Sequence, residues 1–445
     1  ISSGNFLDLK NAVVQFDFQN DANNTCSLDG SAACVIEQIS IIAGGQTIET
    51  VRHYNQLDSI LDQYSSSTGS MHVQNALKGG VAQLDHTPRF SNDNATSAES
   101  PAGLVATTTV DSDITGIKLI SKQTVGASTI ASELSFTGKG GKGYDQTQTA
   151  EIATTAVQRF TFGLRALGFF NPATQKLLPP STPFMMEFTF APANNCLVSP
   201  SGAGVDYNVQ NLEVHIPEVR INDASFMSRI QSRMASPMAW ECNSYDHFVN
   251  TMESTAGSAT IQISARARAL KGLVTVMRSQ ANLTDATKYK LSKRSIQFVS
   301  QYTYRLGSTS YPTQPVTFAT DITDNGTVAG TRLPVAGTQL SIGEPYSQAM
   351  RLFGNLNQTG ANCLLSQESF AQSELNNGTG ILAIDLSAYA DGSVNSGVNT
   401  LNNLPVSLEV LRTTANGTGT KQIDTYSIHE LVIVRDGGGQ LSSMY

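Results

Sequence analysis

Apolar and polar residues alternate in short runs through the first half of the chain, and this period of two predicts β-strands. Val14, Phe16 and Phe18 form the first such run. Further runs lie at Cys34–Ile42, Gln46–Val51, Ile114–Ile120, Ile130–Phe136, Phe160–Ala166 and Phe184–Phe190. Gly44 and Gly45 tolerate positive φ, so they predict a tight hairpin between the second and third runs.

A central stretch, Tyr207–Asp223, has the same alternation and is interpreted as the first strand of a second domain. Leu212, Val214 and Ile216 occupy one face of an extended strand. Pro217 cannot donate a backbone hydrogen bond and therefore predicts a bulge or an edge position. The resulting division predicts two domains, at residues 1–204 and 205–445.

The second half repeats the strand pattern. Predicted strands lie at Ile261–Ala267, Gly272–Met277, Ile296–Leu306, Leu382–Ala388, Val406–Val410 and Tyr426–Val434. Asn-Gly turns begin at Asn325, Asn377 and Asn416. Strands dominate both halves, so the pattern predicts an all-β protein built from sandwiches.

Four segments instead place apolar residues on one face of a helix, three of them at i, i+3, i+4 and i+7 and one, with Phe226, Ile230 and Met234, at every fourth residue. They are predicted at Leu57–Tyr64, at Phe226–Met234 with Asp223 or Ser225 as cap, at Tyr245–Met252, and at Tyr346–Phe353 after Pro345. The first and last occupy comparable places in the two halves. Residues 71–109 lack periodicity and predict a long surface loop.

The surface is predicted to be polar but weakly charged. Charged residues make up 14% of the 445 residues, against roughly 25% in average globular proteins. The net charge of -8 and the isoelectric point near 5.3 argue against a general nucleic-acid-binding surface. A polar but weakly charged surface is common where like subunits cover it or where β-structure dominates.

The cysteines predict neither a disulfide framework nor a zinc site. The five, Cys26, Cys34, Cys196, Cys242 and Cys363, show no CxxC spacing and no histidine at ligand spacing. Free buried thiols, and hence intracellular assembly, are predicted instead. The chain has no apolar run long enough to span a membrane. It begins with Ile, which is compatible with residues preceding it.

Two sequence motifs resemble catalytic signatures but fail on their context. The run Gly138–Gly143 fits GxGxxG, but no apolar helical stripe follows it. The sequence therefore predicts no helix there whose N-terminal amides could hold a pyrophosphate. The run also fails as a P-loop, because Tyr144 stands where that motif needs its lysine. His429-Glu430 begins HExxH, but Ile433 replaces the second histidine on a predicted strand. No GxSxG motif occurs. A hydrolase built on two distant carboxylates is the remaining enzymatic alternative.

Basic residues cluster in one part of the second half and are predicted to form a solvated loop face or inter-subunit salt bridges. The cluster contains Arg266, Arg268, Lys271, Arg278, Lys288, Lys290, Lys293 and Arg294. Contact with a packaged genome or an anionic lipid is the alternative.

Seven N-x-[ST] sequons begin at Asn23, Asn94, Asn282, Asn325, Asn357, Asn377 and Asn416. A chain so rich in Asn and Thr produces most of these by chance.

Several segments, in order along nearly the whole chain, resemble the double jelly-roll major capsid proteins of polinton-like viruses and virophages. The first is LDGSAACVIEQISIIAGGQTIETVRHYNQLDSIL at Leu28–Leu61. The others are LPPSTPFMMEFTFAPANNCLV, SARARALKGLVTVMR, SIQFVSQYTYRLGSTSYPTQPV, EPYSQAMRLFGNL, GILAIDLSAY, SGVNT and YSIHELVIVRDGGG. Some virophage members carry an extra C-terminal segment that the sequence up to Tyr445 does not include, which leaves processing at this end an open expectation.

This resemblance implies two tandem eight-stranded jelly rolls per chain and a homotrimeric, pseudo-hexameric capsomer that tiles an icosahedral shell around double-stranded DNA. The expected partners are other copies of the chain, neighbouring capsomers, penton and minor capsid proteins, and an internal membrane or the genome on the inner face. The expected location is the virion, after assembly inside the host cell.

The prediction is therefore a structural protein rather than an enzyme. We expect no catalytic, cofactor-binding or metal-ligating residue, no cofactor and no small-molecule substrate. The main alternative is a secreted or virion-surface β-sandwich adhesin or fibre protein. That alternative predicts a concave site lined by aromatic and carboxylate side chains, whereas a capsid tile predicts extensive apolar contacts between subunits.

Overall fold

A computed structural model of the chain provides the coordinates. It describes residues 1–22, 24, 26–65, 77–78, 152, 154–171, 177–199, 204–253, 256–286, 289–292, 294, 299–318, 343–354, 370, 379–387, 396–402, 404–412 and 420–444, and the backbone of 89–90, 118–125 and 128–135. Most of the predicted 71–109 loop and the Gly138–Gly143 run lie outside these residues.

The strands of residues 1–219 are β1 Phe6–Asp8, β2 Val13–Asn20, β3 Ser27–Leu28, β4 Ile36–Ala43, β5 Gln46–Arg52, β6 Arg89–Phe90, β7 Lys118–Val125, β8 Ser128–Ser135, β9 Val157–Gly163, β10 Leu177–Leu178, β11 Met185–Phe190, β12 Leu197–Val198, β13 Tyr207–His215 and β14 Glu218–Val219. Those that follow are β15 Met238–Met252, β16 Ser258–Ile263, β17 Leu270–Ser279, β18 Val299–Leu306, β19 Thr309–Thr317, β20 Leu382–Asp385, β21 Val406–Arg412, β22 Lys421–Arg435 and β23 Leu441–Met444.

The α-helices are α1 Tyr54–Ser65, α2 Ala193–Cys196, α3 Ala224–Met234 and α4 Gly343–Leu352. Short 3-10 helices lie at Leu9–Asn11, Ala32–Val35, Gly168–Phe170 and Gln280–Asn282.

The second half folds into a sandwich of two sheets. One has the strand order β15-β22-β17-β20, with β23 added to β22, and the other has the order β16-β21-β18-β19. Among the eight strands β15–β22, β18 and β19 are consecutive strands of one sheet, and the other described connections cross between the sheets. This is the strand order of a jelly roll, whose two sheets enclose one apolar core.

The described strands of the first half repeat six of these positions. The order β13-β2-β9 corresponds to β22-β17-β20, and the order β11-β4-β5 corresponds to β21-β18-β19. The remaining described strands form three smaller sheets, with the orders β10-β1-β14, β12-β3 and β6-β8-β7. The expected all-β class is confirmed, and the chain has a double jelly-roll fold.

The central stretch does not open the second half, as the sequence suggested. β13 pairs antiparallel with β2 along most of its length and so belongs to the first sandwich. The alternation of β13 predicted a strand correctly, but alternation carries no information about which sandwich supplies its partner. We propose that the two units divide at α3 rather than between residues 204 and 205.

The predicted helix at Tyr245–Met252 is wrong, because these residues form the second part of β15. That strand pairs with β22 over its 15 residues. Its more deeply buried positions in the first part, Trp240, Cys242 and Ser244, alternate as a strand requires. The helical spacing arose by coincidence, because residues 245–248 are all half-buried and Val249 is exposed, so the apolar residues here do not follow the burial of the strand.

Other local predictions are confirmed. Gly44 and Gly45 have φ values of 57° and 80° in the β4–β5 hairpin. The Asp223 carboxylate caps α3 by accepting hydrogen bonds from the backbone amides of Ser225 and Phe226. The helices α1 and α4 follow β5 and β19, which are equivalent strands, so they occupy corresponding places in the two sandwiches.

Candidate functional site

The two sandwiches meet at a buried polar junction built around α1. The Tyr426 hydroxyl donates to Gln56 Oε1 at 2.9 Å. Gln63 Nε2 donates to the carbonyl of Ser292 at 2.9 Å, and the Tyr64 hydroxyl donates to that of Thr379 at 2.9 Å. These bonds fix the first sandwich against the second through directional contacts.

The carboxylate of Asp29 extends this junction. It accepts hydrogen bonds from the backbone amides of Lys290, Leu291 and Ser292 at 2.6, 2.8 and 3.1 Å. The Ser292 hydroxyl also donates to it. A buried carboxylate with four donors is well satisfied, so Asp29 holds the 290–292 segment of the second half against the first.

Glu49 makes an equivalent link on β5. Its carboxylate accepts from the backbone amides of Gly168 and Phe169, each at 2.8 Å, and from the Ser244 hydroxyl of β15 at 2.6 Å. Burial raises the pKa of Glu49, and the three hydrogen bonds offset only part of that effect. The three donors depend on the two carboxylate oxygens of Glu49 as their acceptors.

Replacing Glu49 with glutamine is expected to destabilise the protein by roughly 1–3 kcal/mol, because an amide NH₂ would face one of three donors and leave it unsatisfied. Chemical denaturation followed by fluorescence measures the change. The control is Glu213→Gln on β13, where the carboxylate is largely exposed; a loss as large as that of Glu49→Gln would contradict the assigned role.

A second cluster joins His53, which lies between β5 and α1, to the strands β15, β17 and β22. The rings of His53 and His247 lie 4.3 Å apart between centroids. His247 Nε2 is 3.0 Å from Asp424 Oδ1, and Arg278 Nη2 is 2.7 Å from Asp424 Oδ2.

Burial alone would raise the pKa of Asp424, but Arg278 and His247 hold it well below its usual range. Burial, and then the proximity of His247, lowers the pKa of His53 to about 4.

A third cluster lies beneath α1, where Arg165 bridges Asp58 and Asp62. Lys78 Nζ approaches Asp62 at 2.9 Å. Burial would raise the pKa of Asp62, but Arg165 and Lys78 together lower it to about 2. Each buried carboxylate here has a basic partner, which is the arrangement expected of a structural network.

The structure separates the residues singled out in the sequence. His429 and Glu430 lie on β22, a strand, so the geometry of a helical zinc motif is absent there. Across the described ranges, no three His, Cys, Asp or Glu side chains gather in a way that could hold a metal ion. Cys26, Cys34, Cys196 and Cys242 are free and buried, as predicted, and Cys363 lies outside the described residues.

The basic cluster is not one solvated face. Arg266 and Arg268 are exposed, but Arg278, Lys290 and Arg294 are buried. Lys290 Nζ donates to the carbonyl of Asp285. Lys288 and Lys293 lie outside the described residues, as do all the sequon asparagines except the partly exposed Asn282. A count of charges could not distinguish junction residues from surface residues.

The junction itself was not predicted from the sequence. Its residues are polar and are separated along the chain by 177 positions between His247 and Asp424, and by 261 between Asp29 and Lys290. One available signal was the polar face of α1, since Gln56, Asp58 and Gln63 would be exposed on an ordinary surface helix and are buried here.

No described helix is long and apolar enough to cross a membrane.

Solved structures with this fold include several viral proteins. The chain aligns with the Faustovirus major capsid protein with a TM-score of 0.57 and 10% identity, covering 97% of this chain and 86% of that one. A PBCV-1 virus capsid model matches with a TM-score of 0.52 and 11% identity over 100% and 91% of the two chains. PBCV-1 VP54, fitted into a reconstruction of the virophage Sputnik, matches with a TM-score of 0.54 and 10% identity over 99% and 90%.

These alignments extend over both sandwiches and show that the chain shares the double jelly-roll fold of these proteins. No protein-family model matches the sequence, and no curated protein matches it.

Proposed function

We propose that the chain is the major capsid protein of a tailless icosahedral virus with a double-stranded DNA genome. The observation that carries this proposal is the match in fold over 97% or more of the chain to the Faustovirus and PBCV-1 capsid structures. In support, two sandwiches of matching strand order are locked together by a buried junction, which suits a rigid tile.

The proposed assembly is a homotrimer. Three chains with two similar sandwiches each present six similar units, which gives a pseudo-hexameric capsomer. Neighbouring capsomers, penton proteins and minor capsid proteins are the proposed further partners, with a membrane or the genome on the inner face. Assembly would take place inside the host cell, and the mature location would be the virion.

A feature that supports contacts between subunits is α3, the link between the sandwiches. None of its residues is buried, and Phe226 on its apolar stripe is 50% exposed. An amphipathic helix normally buries its apolar stripe. We therefore place α3 among the surfaces that other subunits cover.

Native mass spectrometry tests the proposal. We expect a species of three 47.4-kDa chains, and electron micrographs of that species should show particles with a pseudo-hexagonal outline. Dilution over a wide concentration range is the control, because obligate interfaces bury on the order of 2,000 Å² or more and should resist it. A monomer at every concentration would contradict the capsid role and favour the adhesin alternative.

A further inference from the structure

Two buried cysteines of the first sandwich lie side by side where two short helices meet. Cys34 belongs to the 3-10 helix Ala32–Val35, and Cys196 is the last residue of α2. The two residues are 2% and 0% exposed. α2 packs against the 3-10 helix, with Cα atoms of the two elements within 8 Å of each other. The fold therefore brings together two thiols that are far apart in the sequence.

Backbone hydrogen bonds fix the chain on both sides of this contact. The amide of Ala191 donates to the carbonyl of Val35, the residue after Cys34, at 2.8 Å. The amide of Asp29 donates to the carbonyl of Cys196 at 3.0 Å, and it also hydrogen-bonds the Cys34 thiol. The two cysteines therefore share Asp29 as a neighbour and are held at a short separation.

The two side chains also interact directly. Burial, and then a hydrogen bond with the Cys196 thiol, raises the pKa of Cys34. Cys196 Sγ has two further long contacts, at 3.5 Å to the carbonyl of Pro192 and 3.7 Å to that of Ala193. Thiols are weak donors and acceptors, so these contacts do not oppose a covalent bond between the sulfur atoms. The Lys290 ammonium interacts with both sulfur atoms, more strongly with Cys196, and a neighbouring positive charge favours a thiolate.

The other described cysteines are placed differently. Cys26 precedes β3 and Cys196 precedes β12, and these two-residue strands are antiparallel. Cys26 and Cys196 therefore lie at opposite ends of the pairing, about 10 Å apart along the strands, which is too far for a disulfide without backbone movement. Cys242 lies on β15, where its thiol contacts the carbonyl of Leu431. Among the described cysteines, the geometry thus selects Cys34 and Cys196 as a pair.

We propose that Cys34 and Cys196 form an oxidation site, at which a peroxide converts the two thiols into a disulfide bond. Cys196 Sγ attacks hydrogen peroxide, the O–O bond breaks, and the sulfur becomes a sulfenic acid while the released hydroxide takes up the thiol proton as water. Cys34 Sγ then displaces the hydroxyl group from Cys196, which forms the S–S bond and releases a second water. One peroxide is reduced to two waters, and the two thiols lose two hydrogen atoms. This chemistry does not depend on the proposed capsid role.

The disulfide would strengthen the junction through Asp29. The Asp29 carboxylate holds the 290–292 segment of the second half, and its amide is bonded to Cys196. A link between residues 34 and 196 closes a long loop and so restricts the unfolded chain. We expect the urea midpoint of unfolding to rise by about 0.5 M or more on oxidation, and dithiothreitol to reverse the rise.

Peptide mapping of the full chain tests the site. The reduced protein is treated with hydrogen peroxide, quenched with catalase, unfolded, alkylated, digested and analysed by mass spectrometry. We expect the number of free thiols to fall by two from the five in the sequence, with one linked peptide that joins Cys34 to Cys196. Retention of all five thiols would overturn the proposal. So would links to other cysteines, links between two chains, or oxidation of either residue to sulfinic acid without a link.

Alanine variants provide a matched control. Cys34→Ala and Cys196→Ala each remove one partner, whereas Cys26→Ala removes a third thiol that is also buried in the first sandwich. We expect peroxide to raise the urea midpoint of the unmodified chain and of Cys26→Ala, and to leave the other two unchanged. Each protein is compared with itself before and after oxidation, so the cost of the substitution itself cancels. An equal rise in Cys34→Ala, or the loss of the rise in Cys26→Ala, would contradict the assigned pair.

Discussion

Replacing Asp424 with asparagine is expected to lower the free energy of unfolding by about 3–5 kcal/mol, because the buried Arg278 guanidinium would lose its counter-charge. The Asp424 carboxylate is fully buried and contacts Arg278 and His247. Urea denaturation at pH 7 measures the loss. The single tryptophan, Trp240, is a suitable probe because it is buried on β15, the strand paired with β22.

The matched control is Glu409→Gln. Arg305 and Glu409 form an ion pair at 2.9 Å, but their side chains are 49% and 38% exposed. Removing that pair should cost no more than about 1 kcal/mol. Equal losses of unfolding free energy in the two variants would contradict the role of Asp424 as the buried counter-charge of Arg278.

Acidification is expected to destabilise the protein through His53, and replacing His53 with asparagine should remove that part of the pH dependence. The folded-state pKa is lowered to about 4 from an ordinary value of 6.5. As pH falls from about 6.5 to 4, the unfolded state therefore takes up a proton that the folded state refuses. The resulting loss of stability is about 3 kcal/mol by pH 4.

Asparagine suits this position because His53 has a φ of 48°, a left-handed conformation that asparagine tolerates. The measurement is the free energy of unfolding from pH 7 to pH 4 for both proteins. Arg278 and Arg52 also oppose protonation of His53, and Asp424 favours it. Parallel curves for the two proteins would contradict the role of His53. The depressed pKa of Asp424 adds a further loss only below its ordinary range, near pH 3.8.

Strands whose core positions are all apolar could be predicted from the sequence. β2 is an example, because Val14, Phe16 and Phe18 are fully buried while the residues between them are less so. Local turn chemistry was equally readable at Gly44-Gly45 and at the Asp223 cap. In each case one short window contains both the signal and its physical cause.

The junction could not be predicted in this way, because its determinants are long-range. Ser244 and His247 on β15 have partners on β5 and β22. A buried polar residue has the same appearance in a sequence as an exposed one, and only the donor or acceptor brought to it by the fold distinguishes them. The same limit explains why β15 was partly predicted as a helix and why β13, which pairs with β2, was assigned to the second half.

The order of the strands also determines when each sandwich can close during synthesis. Asp17 on β2 hydrogen-bonds Asn211 next to it in the sheet, 194 residues later, and Cys242 on β15 bonds Leu431, 189 residues later. At about 5–20 residues per second, a ribosome needs roughly 10 to 40 s to deliver each partner. During that time β2 and β15 emerge as long strands with exposed apolar faces and unpaired edges. In the nascent chain each of these strands therefore waits for a partner strand that is synthesised later. A cell that produces the protein in quantity must prevent two successive incomplete sheets from aggregating.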